Sequence, residues 1–215
     1  MVNFLLLIEK IINYSKENID NGLTPKEIYQ LCSCIRETFF LSYSIRKENN
    51  LYLLFQKECT LIKFEGKSLR YLGPDERSQA LLLEKALFKV RKNGSNNKCL
   101  WIKSTPGIYI RQFSNNNHFI EYSNSILDGK TYLIFDNYSE FDEGLGSPIL
   151  DKHIDEINEN DFFILLTYKT TKENSKILSS FIKLQNTNVI LLSKIKSIED
   201  KILFINFRKD NQKIT

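Results

Sequence analysis

The sequence predicts an α/β fold: a mainly parallel sheet covered by helices on both faces. Three observations lead there. Short runs that are apolar throughout (Asn3–Ile8, Leu51–Phe55, Phe162–Leu166, Val189–Leu192) are the pattern of strands buried on both faces. Segments with apolar residues at helical spacing alternate with them, as parallel strands joined by crossover helices require. No internal repeat suggests a solenoid or propeller instead. All 215 residues are expected to form a single domain, residues 1–215.

The elements follow in order. Asn3–Ile8 reads as the first strand, too short and too soon interrupted by Glu9-Lys10 for a signal peptide or membrane span. A polar stretch runs to Asn21-Gly22. Thr24, Pro25 and Glu27 then supply an N-cap, a first-turn proline and a capping box. Ile28, Leu31, Cys32, Ile35 and Phe39 give this helix a buried face, and it is expected to reach about Ile45. Strands Leu51–Phe55 and Leu61–Phe64 follow. Asp75 can cap a second helix that turns Ala80, Leu83, Ala86, Leu87 and Val90 inward. After a loop at 93–97, strands are expected at Leu100–Lys103 and Thr131–Phe135, with a helix over Phe119–Leu127 between them. The last third reads strand Phe162–Leu166, helix Ser175–Leu184, strand Val189–Leu192 and helix Lys196–Phe207.

Charge is distributed unevenly. The net charge is +4, yet Lys57–Lys103 holds eleven basic and five acidic residues, while Asp136–Asp161 holds nine acidic residues against Lys152. A basic middle segment suits a polyanionic partner. Cys32, Cys34, Cys59 and Cys99 lack metal-ligand spacing and only His118 and His153 could assist them, so no metal site is expected. The cysteine usage suits a reducing, cytoplasmic setting. A nucleotide enzyme of the glycine-rich-loop type is disfavoured, since no such loop occurs.

Several runs resemble a known family. Leu31–Leu41 (LCSCIRETFFL, continuing to Arg46), Ile62–Ser78 (IKFEGKSLRYLGPDERS), Ser104–Tyr109 (STPGIY) and Asp128–Asp136 (DGKTYLIFD) occur in collinear order over roughly residues 1–136. In this they resemble the archaeal TrmY family of tRNA pseudouridine methyltransferases, of the SPOUT class. The resemblance implies a C-terminal trefoil knot, a homodimer and S-adenosylmethionine as methyl donor. It also implies tRNA as partner, with methylation at N1 of pseudouridine 54 in the T loop.

Within the resembling runs, Asp75 and Glu76 are the candidates for accepting the N1 proton. Arg70, Arg77, Ser78 and Arg36 are the candidates for holding RNA, the arginines by fork-shaped contacts to uracil oxygens or phosphate and the helix start by its backbone donors. The same carboxylates also suit a helix cap, and the arginines also suit surface ion pairs. The cofactor end departs from the family. A Leu-Gly-Asp-His-Leu-Gly pattern is replaced by Leu165–Thr170, matching only at Leu165; a Ser-Leu-Gly pattern becomes Leu191–Ser193, matching only at Leu192; Ile202 stands where the family has cysteine. By position at strand ends, Leu165, Leu166, Thr167, Leu192 and Ser193 are the expected donor-side residues, and Lys169 can reach a carboxylate. Two lost glycines predict weakened or lost donor binding. A non-catalytic tRNA-binding relative is therefore the alternative reading.

Overall fold

The computed structural model describes residues 2–41, 44–93, 100–127, 129–135, 149–150, 157–167, 175–183 and 187–212. Chain order gives β1 (Val2–Ile8), α1 (Lys16–Asp20), α2 (Lys26–Phe39), β2 (Asn49–Phe55), β3 (Thr60–Glu65), α3 (Glu76–Asn93), β4 (Ile102–Thr105) and β5 (Ile108–Gln112). Then come α4 (Asn116–Ile126), β6 (Thr131–Phe135), β7 (Ile149–Leu150), β8 (Asp161–Leu166), α5 (Ser175–Ile182), β9 (Thr187–Leu191) and α6 (Ile198–Gln212). The described strands form one sheet in the order β4-β5-β3-β2-β1-β8-β6-β9-β7.

The expected α/β architecture with a mostly parallel sheet is present. From β2 to β7 every neighbour pair is parallel, whereas β3, β5 and β4 join antiparallel. β1 lies at the centre, between β2 and β8, and all seven of its residues are buried. That position explains its unbroken apolar run: both faces meet core. On one face Phe4, Leu6, Leu53, Phe163 and Leu165 pack beneath α1, α2, α3 and α6. On the other, Leu5, Leu7, Leu54, Leu133 and Ile164 pack beneath α4 and α5.

Four expectations need correction. The second helix begins at Lys26 with Pro25 at the cap position and no side-chain cap, because Thr24 lies one residue too early for its hydroxyl to reach the first turn. It ends at Phe39, not near Ile45. Phe40 turns extended and bridges Ile45, and Arg46 N donates to Phe39 O. The stretch before Asn21 contains α1, started by a reciprocal Ser15–Asn18 capping box. Residues 102–112 form a β-hairpin, of which only the first strand was expected. The loop at 94–97, Cys99, Lys169 and most of the acidic stretch (136–148 and 151–156) lie outside the described residues.

Candidate functional site

The segment leading into α3 is shaped by its own hydrogen bonds. The β4–β5 turn presses against it: Arg70 N donates to Pro106 O at 3.3 Å and Glu65 N to Gly107 O at 2.8 Å. Arg70 folds its Nη1 onto Leu69 O at 2.9 Å and remains exposed. Tyr71 adopts φ +65° and is 83% exposed. Ser78 N donates to Asp75 Oδ1 at 2.8 Å, Ser78 Oγ accepts from Gly73 N at 2.9 Å, and Gln79 Nε2 reaches Gly73 O and Pro74 O, each at 3.1 Å. Asp75 is thus the helix cap, as its place in the sequence suggested. Its second oxygen makes no hydrogen bond among the described residues.

Asp75 can be tested for both roles at once. Asp75→Ala is expected to cost about 1 kcal/mol by losing the cap, whereas Asp75→Asn keeps a capping oxygen and should stay within a few tenths of wild type. If Asp75 also accepts the substrate proton, Asp75→Asn should lose methyl transfer while retaining its melting temperature. Unchanged turnover in that variant removes Asp75 from proton transfer.

Glu76 and Arg77 line a shallow pocket of about 280 Å³ with Ile19, Gly22, Thr24 and Tyr29. Arg77 Nη2 lies 2.6 Å from Asp20 Oδ1, and both side chains are substantially exposed. Such pairs contribute about 0–1 kcal/mol and leave the guanidinium able to exchange partners. Arg36 pairs with its neighbour Glu37 at 3.0 Å. Burial first, and then the charge of Glu76, push the pKa of the Cys32 thiol up to about 12, with Arg36 opposing. A thiol so raised is an unreactive core group.

The residues expected on the donor side lie at the carboxyl edge of the parallel strands. Leu165 and Leu192 are buried, Leu166 and Thr167 half-buried, and Ser193 exposed. Thr167 directs both its N–H (3.0 Å) and its hydroxyl (3.1 Å) to Leu7 O, and Leu192 N donates to Phe135 O at 3.0 Å. Those donors face into the sheet. Beside Thr167 a cavity of about 150 Å³ opens, lined by Ile8, Glu9, Ile12, Glu27, Gln30 and Leu31 among others. It lies between β1 and β8, where the connections diverge: β1 leads through α2 to β2 on one side, β8 through α5 to β9 on the other. Open α/β sheets bind ligands at such a switch point. Sequence reasoning missed Glu9, Glu27 and Gln30; the available signal was that Glu9 directly follows the first strand. Among the described residues no hydrogen bond or ion pair joins the Asp75–Ser78 cluster to Leu165–Thr167 or Leu192–Ser193. The first turns of α2 line both cavities, Tyr29 one and Gln30 the other.

The structure defines an α/β protein with a mostly parallel sheet, and comparison with known proteins gives the family. Residues 15–130 match the model of the family described as "Putative SAM-dependent RNA methyltransferase"; the chain belongs to this family. Among similar curated proteins are tRNA (pseudouridine(54)-N(1))-methyltransferases of three archaea. That of Methanococcus aeolicus is 30% identical over 169 residues, 77% of this chain and 76% of the relative. That of Methanocaldococcus jannaschii is 33% identical over 125 residues, 56% of this chain and 61% of the relative. That of Methanosarcina acetivorans is 42% identical over 84 residues, 38% of this chain and 37% of the relative. The last two matches thus span less than two thirds of those relatives' length. A crystal structure of Archaeoglobus fulgidus Nep1 bound to S-adenosylhomocysteine shares the fold, with TM-score 0.57, 10% identity and coverage of 100% of this chain and 99% of that one.

No helix among the described residues is long and apolar enough to cross a membrane, and no cluster of His, Cys, Asp or Glu there could hold a metal.

Proposed function

We propose that the chain is a tRNA methyltransferase acting at N1 of pseudouridine 54, with S-adenosylmethionine as methyl donor. The observation that supports this best is the family match over residues 15–130, which contains the whole Arg70–Ser78 segment. Bound donor would supply a sulfonium-attached methyl group and leave as S-adenosylhomocysteine. The chain's own residues do the rest. Asp75 or Glu76 takes the N1 proton as the methyl arrives. Arg70, Arg77 and Arg36 hold uracil oxygens or the flanking phosphate, and Ser78 orders the helix start beneath them. The base leaves its stack to reach them.

At the carboxyl edge, Glu27 and Gln30 suit ribose hydroxyls, and Ile8, Ile12 and Leu31 suit an adenine face. A cavity of about 150 Å³, lined in part by Thr167, accepts one end of the donor; Leu165, Leu166, Leu192 and Ser193 join it in this reading by their position at the strand ends alone. As in the relatives by name, tRNA is the partner. The same reading makes residues 1–215 one SPOUT-like domain with a C-terminal trefoil knot, a homodimer and a cytoplasmic protein.

A second reading, a tRNA-binding relative without catalysis, is favoured by one observation: Thr167 and Leu192 already donate their N–H groups to Leu7 and Phe135. Two or three absent contacts at about 1 kcal/mol each weaken binding roughly 30- to 150-fold, which takes a donor site of about 1 μM to about 0.03–0.15 mM. Calorimetry with S-adenosylmethionine and S-adenosylhomocysteine should find this weak binding, and low-micromolar affinity would refute it. Transfer of labelled methyl to pseudouridine-54 tRNA at millimolar donor supports the enzyme. Its absence, with tRNA still bound, selects the second reading.

A further inference from the structure

The antiparallel end of the sheet carries a row of side chains that the helix-start cluster does not use. Register aligns Tyr52 with Lys63, Lys63 with Tyr109, and Tyr109 with Lys103, so four strands present one transverse row on the face that α4 and α5 pack against. The chemistry alternates aromatic and cationic. Lys63 Nζ stands 5.9 Å from the Tyr52 ring centre, Tyr109 is half-buried, and Lys103 is exposed. Beside this row lies Trp101, half-buried and edge-on to both Tyr109 (6.5 Å) and Tyr122 (6.2 Å).

Arg111 completes the group. Its guanidinium carbon stands 4.0 Å from the centre of the Tyr122 ring, 5.3 Å from Phe113 and 6.0 Å from Trp101. Its Nε is buried without a hydrogen-bond partner, and no carboxylate pairs with it among the described residues. Rings therefore hold this cation in place, Tyr122 also through a hydrogen bond, and no carboxylate among the described residues offsets its charge. At the other end of the row, Tyr52, Lys63, Glu65 and Lys67 line a groove of about 480 Å³ whose far wall is Ser125 and Ile126 at the end of α4. Glu65 is the acid within this set. Its buried site alone would raise its pKa, but bonds from Lys63 and Ser68 outweigh that and hold it below the usual range, so it is already neutralised by Lys63 at 2.6 Å.

We propose that this sheet face is a second RNA-binding surface, taking unpaired nucleotides. Bases stack on Tyr109 and Trp101, one nucleotide enters the groove by Tyr52, and the backbone runs past Lys67 and Lys103, while Lys63 keeps Glu65 neutralised. Aromatic faces interleaved with lysines are what single-stranded RNA recognition needs, since every base offers a π-face and every linkage a charge. The excess of basic residues over Lys57–Lys103 supplies the complementary field. The assignment of RNA rather than another polyanion rests on the methyltransferase reading above.

Trp101 is the chain's one tryptophan, so its emission reports directly on stacking. Titrating the full chain with tRNA and with a T-arm stem-loop is expected to quench that emission by half or more. Lys67→Glu with Lys103→Glu should weaken binding at least tenfold and flatten the salt slope by about two. Tyr109→Ala should weaken it severalfold, with circular dichroism confirming the fold. Lys85→Glu, an exposed charge on α3 across the sheet, serves as control and should change affinity less than twofold. Emission unchanged at saturating RNA, or an equal loss in Lys85→Glu, overturns the proposal. These readouts involve binding only, so a chain that fails to methylate but shows them has lost the enzymatic reading and kept this one.

Discussion

Replacing Gly107 by valine should destabilise the chain by about 3–5 kcal/mol, enough to remove most of a typical domain's stability. Gly107 sits at φ +83°, where a β-branched residue is strained. Space is also lacking. A Cβ there would lie 2.5 Å from Leu69 Cα and 2.7 Å from Ser68 C, both backbone atoms that cannot swing aside. The turn supports the candidate site because Pro106 O and Gly107 O accept from Arg70 N and Glu65 N, so the segment leading to Asp75 leans on it. Urea unfolding provides the measurement. Gly22→Ala is the comparison: φ is +70° but nothing lies within 4 Å, and the cost should be only about 1 kcal/mol. Equal midpoints for the two variants would show that the close approach is unimportant.

Asn49→Leu and Asn206→Leu should each cost about 2–4 kcal/mol. Asn49 Nδ2 donates to Thr38 O and to Asn206 Oδ1, both at 2.9 Å, and Asn206 Nδ2 donates to Glu37 O at 2.7 Å. Two side-chain amides, one from β2 and one from α6, thereby satisfy the last carbonyls of α2. Both residues are almost fully buried, at 4% and 1% exposure, so removing either leaves its partners without water as a substitute. Arg46 grips Asp210 with two bonds of 2.7 Å just outside. A double-mutant cycle should give a coupling of about 0.5–3 kcal/mol, the double variant losing less than the sum. Strict additivity would mean that the two amides act independently.

Much of the architecture was legible because burial on both faces leaves a plain mark. β1, β2, β8 and β9 are read from apolar runs alone, and α3 from Asp75 and the spacing of Ala80, Leu83 and Leu87. What escaped was set by partners distant in sequence. α2 stops at Phe39 because the chain must turn back to deliver Asn49 to Thr38 O and Arg46 to Asp210, and Asp210 lies 164 residues away. β5 escaped because Tyr109 and Arg111 look polar until Lys63 and Leu61 are placed opposite them. α1 has five residues and uses Asn18 where a capping box usually has Glu or Gln. In the candidate site, the helix cap and the strand ends were legible, one from local chemistry and the other from the rule for parallel sheets. That Glu27 and Gln30 would stand beside Thr167 was not, since it depends on which helix covers β1.

The central position of β1 also sets a timetable for synthesis. β2 follows within a few dozen residues, so one flank of β1 can pair as soon as the first half of the chain has left the ribosome. The other flank waits for β8, whose Asp161 pairs with Val2 across 159 intervening steps of sequence. At ordinary translation speeds of about 5–20 residues per second, this strand of seven buried residues stands with one open edge for roughly 8–30 s. During that interval Phe4, Leu5, Leu6 and Leu7 offer an unpaired template to any neighbouring nascent chain. Slowed elongation between Asn49 and Asp161 should therefore lower the soluble yield, with no change to the finished fold.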